Sequence, residues 1–193
     1  MSASEPQWGD PPPNCAICGE QTHWFSARLC KRCKSIWDRL EFRYVANKPE
    51  WERALTQAWD PETECFLCQI TGVELVVGKE HWPHPRYLER EHVSPGDDTA
   101  YVVCASIINR MKGSMTEPEF RDAVHTVADV YRGKAHADAD LLRARIKTSL
   151  TPDELREIVL GLDATFRGGK FPAEILMNLD PARSGRRTPD APG

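Results

Sequence analysis

Two cysteine pairs near the start of the chain, Cys15-x-x-Cys18 and Cys30-x-x-Cys33, constrain its folding more than any other feature. Zinc takes four soft ligands in a tetrahedron at about 2.3 Å. Each knuckle sets two thiolates on one side of an ion, and the eleven residues between Cys18 and Cys30 leave enough chain to close the shell. Gly19, directly after Cys18, suits the tight turn of a knuckle. Four unrelated buried thiols are the alternative, and two such pairs within one 19-residue span disfavour it. With all four positions filled by protein, the Zn2+ has a structural role. A segment this short cannot build its own core and needs the ion to fold.

Three further cysteines, Cys65, Cys68 and Cys104, lack an obvious fourth ligand. His81 or His84 could complete a second zinc site. Ile107 stands where a matching thiolate is expected, so packing as small hydrophobes is favoured. His23 reads as a surface histidine. The N-terminus, Met1-Ser2-Ala3-Ser4-Glu5-Pro6, lacks the basic start and apolar core of a secretory signal, and no run of about 18 apolar residues occurs. A cytoplasmic location without membrane contact is expected, and there disulfides are disfavoured.

The 193 residues allow one ordinary domain plus an accessory module. Residues 1–13 read as a flexible lead-in and 14–60 as the zinc module with helices near 31–45 and 49–58, divided at Pro49. Residues 61–133 hold a hairpin at 65–78 turning at Gly72, an irregular stretch at 79–90, a strand at 100–104 and a helix at 105–112 ended by Gly113. Thr116-Glu117-Pro118-Glu119 and Thr151-Pro152-Asp153-Glu154 match capping boxes. The first opens a helix over 117–132 that should bury Phe120, Val124, Val127 and Tyr131. Residues 134–180 hold C-terminal helices, one over 135–146, and 181–193 form a disordered tail. The class is α+β.

A net charge of −4 argues against a cationic surface that coats DNA nonspecifically. Residues 28–43 are nevertheless locally basic. Lys31, Arg32 and Lys34 there are either a solvated helix face or contacts to phosphate.

Glu91-His92 and Asn109-x-x-Lys112 form the second constellation. Glu91 and Asn109 offer oxygen ligands of the kind a hard ion such as Mg2+ prefers. Histidine as a residue type suits general-base chemistry near neutral pH, and His92 is the candidate base. Arg110 and Lys112 sit on the same short helix and can contact phosphates, and Asn109 and Lys112 share roughly one face. Singly, each reads as an ordinary surface or structural residue. Together they make a minimal kit for hydrolysing a phosphodiester.

These residues resemble the HNH endonuclease family, from Cys68-Gln69-Ile70-Thr71-Gly72 through Glu91-His92-Val93-Ser94-Pro95 to Asn109-Arg110-Met111-Lys112-Gly113 and Thr116-Glu117-Pro118-Glu119-Phe120. About a quarter of the chain is covered. The resemblance implies a small ββα-metal core with an N-terminal zinc knuckle and flanking helices. It implies Mg2+ or Mn2+ held by Glu91 and Asn109, water activated by His92, and DNA as the nucleic acid cut. Glu91 replaces the usual Asp, and the Asn that steadies the histidine is missing near Thr99, where Asp98 or Thr99 would have to stand in. The alternative function is a catalytically degenerate zinc-binding module that binds DNA or protein.

Overall fold

Asn47 and Pro49 start the first helix, α1 (Lys48–Ala58): the Asn47 side chain accepts from the Glu50 N–H, and proline lies in the first turn, where its missing N–H costs nothing. The computed structural model describes residues 14–22, 29–34, 36, 47–77, 84–133 and 150–179. The expected helix at 135–146, both tails and most of the one at 31–45 lie outside these residues. Lys31–Lys34 are helical. α1 buries Trp51, Ala54, Leu55 and Ala58. Trp59, read as part of the helical stripe, instead turns to extended backbone and opens a strand.

That strand, β1 (Trp59–Asp60), pairs antiparallel with β2 (Cys65–Phe66). The chain continues through the expected hairpin. Leu67 bridges Glu74, the Cys68 N–H donates to the Val73 carbonyl at 2.9 Å, and Gly72 takes the turn at φ 71°.

The second sheet pairs β3 (Leu88–His92) antiparallel with β4 (Tyr101–Ala105), with His92 opposite Tyr101 and Leu88 opposite Ala105. Residues 88–90, expected to be irregular, therefore belong to a strand. Leu-Glu-Arg-Glu-His carries little intrinsic strand signal, and pairing with the apolar β4 supplies what propensity does not. Helix α2 (Ser106–Lys112) follows β4 directly and ends at Gly113, φ 54°. Side chains alternate across the sheet. Arg90 and His92 share a face with Tyr101 and Val103, and α1 covers it, the Trp51 ring meeting Tyr101 edge-on at 6.4 Å. Glu89 and Glu91 share the other face with Val102 and Cys104, and α2 reaches over them through Asn109 and Lys112.

Both predicted capping boxes close, on α3 (Glu117–Tyr131) and α4 (Pro152–Phe166). α3 buries Phe120, Val124, Val127 and Ala128. Tyr131, expected inside, lies in the last turn and is only partly covered. α5 (Ala173–Met177) closes the described part of the chain behind α4. Gly161 lets the segment that leads into α5 come close, since a Cβ there would sit 2.9 Å from the Phe171 ring. One buried cluster runs from Ile17 and Cys33 through Trp51, Val103 and Phe120 to Leu162. No helix among the described residues is long and apolar enough to cross a membrane.

Candidate functional site

The knuckle turn at 15–20 is held by its own backbone. The Gly19 N–H donates to the Cys15 carbonyl at 3.0 Å, and the Cys15 N–H to Glu20 at 2.7 Å. Gly19 at φ 73° makes that turn without strain. The turn carries Cys15 and Cys18 to Cys30 and Cys33, and the four sulfurs lie within 4.8 Å of one another. Cys18 Sγ and Cys30 Sγ are 3.6 Å apart, and the Cys33 N–H points at Cys30 Sγ at 3.4 Å. Burial pushes Cys18 up to about 11 and Cys33 higher still, with the neighbouring sulfurs adding to the effect. At Cys15 burial acts in the same direction, but backbone hydrogen bonds at Cys18, Cys30 and Ile17 outweigh it and bring the thiol to about 7. Thiolates this close repel one another, and a divalent cation at their centre reverses the sign of that interaction. The donor set fits a structural zinc ion. No other such group forms among the described residues. Cys65, Cys68 and Cys104 are buried thiols, and His84 Nδ1 accepts from the Arg86 N–H.

The seam between β3–β4 and α2 holds the second constellation, with contacts other than those expected. Lys112, expected to contact phosphate, is 2% exposed. Its ammonium donates to Glu91 Oε1 at 2.5 Å and to the His92 carbonyl at 3.0 Å. Its position on α2 turns it inward, onto the acid face of β3, rather than outward to solvent. Glu91 is buried too, and burial holds its carboxyl above the ordinary range although the ammonium pulls it down. Asn109 donates to Glu89 Oε2 at 2.7 Å. The expected ligand pair Glu91 and Asn109 therefore lies on one side of the sheet, but each side chain is engaged by another residue.

His92 faces the other side. Its ring packs edge-on against Tyr101 at 5.3 Å, and Nε2 lies 3.1 Å from Asp98 Oδ1. The Tyr101 hydroxyl donates to that same oxygen at 2.5 Å. The Tyr101 and His92 contacts, in that order, hold the Asp98 carboxyl below its usual range. Of the two residues expected to steady His92, Asp98 does so; Thr99 instead donates its N–H to Asp97.

Among the basic candidates, Lys31 and Lys34 are exposed. Arg32 donates to the Glu64 carbonyl at 2.8 Å and stacks over Trp59 at 4.8 Å, so it ties the knuckle to the β1–β2 hairpin. Arg110 is partly buried.

Two features escaped the sequence reading. Glu89 stands two residues before Glu91, and the strand period puts both on one face, a signal that was present but depends on knowing β3 is a strand. Asp163, in the apolar stripe of α4, is fully buried and gathers Arg132 at 2.6 Å, Arg167 at 3.1 Å and the His125 ring. A lone acid directly after the apolar run Ile158-Val159-Leu160-Gly161-Leu162 was the available signal. No family model, curated protein or solved structure matches the chain.

Proposed function

We propose that this chain is a zinc-stabilised module that binds DNA in the cytoplasm, with the strand-strand-helix layout of an HNH nuclease but without its hydrolytic chemistry. The observation that carries this reading is the buried Lys112 ammonium on Glu91. A carboxylate already neutralised by an internal cation attracts a divalent ion weakly, and removing that cation leaves a buried charge. The strand period adds to this, because it turns His92 away from the face that holds Glu91 and Asn109. Lys31 and Lys34, exposed beside the knuckle, are the proposed phosphate contacts. The test is supercoiled plasmid incubated with the protein and Mg2+ or Mn2+. Retarded mobility without nicking above an EDTA control is expected.

A hydrolytic reading draws on one observation, the Asp98 carboxylate on His92, which is how a general base is oriented. In that reading Glu91 and Asn109 hold Mg2+ or Mn2+ once Lys112 withdraws. Nicking that EDTA and His92→Ala both abolish would establish it and overturn the first.

A further inference from the structure

Where β3–β4 meets α3 and α4, the protein forms a cavity of about 150 Å3. Among the described residues its apolar walls are Ile70, Val93, Val102, Phe120 and Phe166. The two phenylalanine rings meet edge-on at 6.0 Å and tie the α3 wall to the α4 wall. Phe120 is buried and belongs to the deep end, whereas Gln69 and Arg121 are exposed and mark the rim.

Polar residues complete the lining, and each is already engaged within the protein. Lys112 donates to Glu91 and to the His92 carbonyl. Arg121 donates to Glu117 at 2.6 Å and stacks over Phe166 at 4.7 Å. Thr165 donates its hydroxyl to the Gly161 carbonyl at 2.9 Å. Asp98 holds the His92 ring, and the Gln69 carbonyl accepts the Val103 N–H at 2.6 Å. Each basic side chain in the lining is thus matched to a carboxylate: Lys112 to Glu91, Arg121 to Glu117 and His92 to Asp98. An ion entering this space has to break one of those pairs or lie buried without a partner, and either is unfavourable. Water needs two to four polar partners to stay in such a space, and most groups that could supply them are taken. An uncharged apolar molecule requires neither. An engineered cavity of about this volume, lined by similar side chains, stays dry and takes up one benzene ring.

We infer that this cavity is a binding site for one small, uncharged, apolar molecule about the size of a single ring, a role separate from the DNA reading above. The probe is benzene, titrated into the zinc-loaded full chain and followed by the methyl resonances in a carbon–proton NMR spectrum. Saturable ring-current shifts are expected at the methyl groups of Ile70, Val93 and Val102, together with a rise in melting temperature, because benzene binds the folded form alone. Benzoate and protonated benzylamine carry the same ring with a charge of either sign, and both should bind about tenfold more weakly or worse. Val102→Phe and Ile70→Phe each place a ring in the space from a different wall, and each should abolish the benzene shifts. Three results overturn the assignment: no shift at the lining methyls in saturating benzene, a charged analogue that binds as tightly as benzene, or benzene shifts that persist in a filled variant melting like the parent. If both variants melt lower, the parent decides: benzene shifts centred away from Ile70, Val93 and Val102 reject the site.

Discussion

Lys112 and Glu91 are both charged, and both are closed off from water between sheet and helix. Desolvating two charges costs several kcal/mol each, and their attraction returns that only while both are present. Lys112→Met should therefore destabilise the fold by about 3–5 kcal/mol. The double change Lys112→Met with Glu91→Gln should recover most of the loss, measured by urea unfolding in a double-mutant cycle. The sign of the pH dependence follows from Glu91. Its folded pKa is already raised and rises further without the ammonium, so the Lys112→Met deficit is smallest in acid and grows as pH climbs through that value. A neutral Lys112→Met that loses DNA affinity would instead make Lys112 a phosphate contact. The Asn109-x-x-Lys112 spacing correctly implied one shared helix face. It did not reveal what that face meets, because Glu89 and Glu91 come to it from 18 to 23 residues away along the chain.

At the scale of elements, α3 and α4 are joined by apolar packing and by a charged clasp on Asp163. Burial would raise that carboxyl, but hydrogen bonds from Arg167, His125 and Arg132 outweigh it and hold it well below the usual range. An acid with a depressed folded pKa contributes stability that is fully present above its unfolded value, about 3.9, and is lost as pH falls through the folded one. Asp163→Asn should cost about 3 kcal/mol near pH 7, the low end for a broken buried pair, since Arg132, Arg167 and the His125 ring are partly exposed and can find water. It should also flatten the decline in melting temperature between roughly pH 5 and 2. An acid limb as steep as the parent's would remove Asp163 from the clasp. The two helices themselves were legible, since Thr116 and Thr151 each announce a box closed by a glutamate three residues on. β3 was not, because a polar strand is defined by its neighbour and β4 lies beyond a turn.

The whole molecule depends on how the knuckle attaches. Ile17, Cys15 and Cys33 lie within the common core, and Arg32 spans from the knuckle to Glu64 and Trp59. Metal at the four sulfurs then stabilises more than its own turn, because binding the folded form alone shifts the folding equilibrium. One zinc per chain is expected by chromogenic titration. Its removal should lower the melting temperature by about 10 °C or more, as a loss of several kcal/mol does in a chain of this length. An unchanged melting curve after complete chelation would mean that the thiols pack without an ion.

Sequence alone determined what depends on neighbours along the chain: two thiol pairs at knuckle spacing, helix starts set by threonine and glutamate, the Gly72 and Gly113 turns, and the mixed α and β character. Tertiary structure decided what depends on sheet register and helix docking. Those placed Glu91 and His92 on opposite faces, gave Lys112 an acid in place of solvent, oriented His92 through Asp98, and closed α3 onto α4 at Asp163. The division has a physical cause. Local hydrogen bonds and ligand spacing are encoded within a few residues, whereas the environment of a charge is set by whichever distant segment excludes water from it.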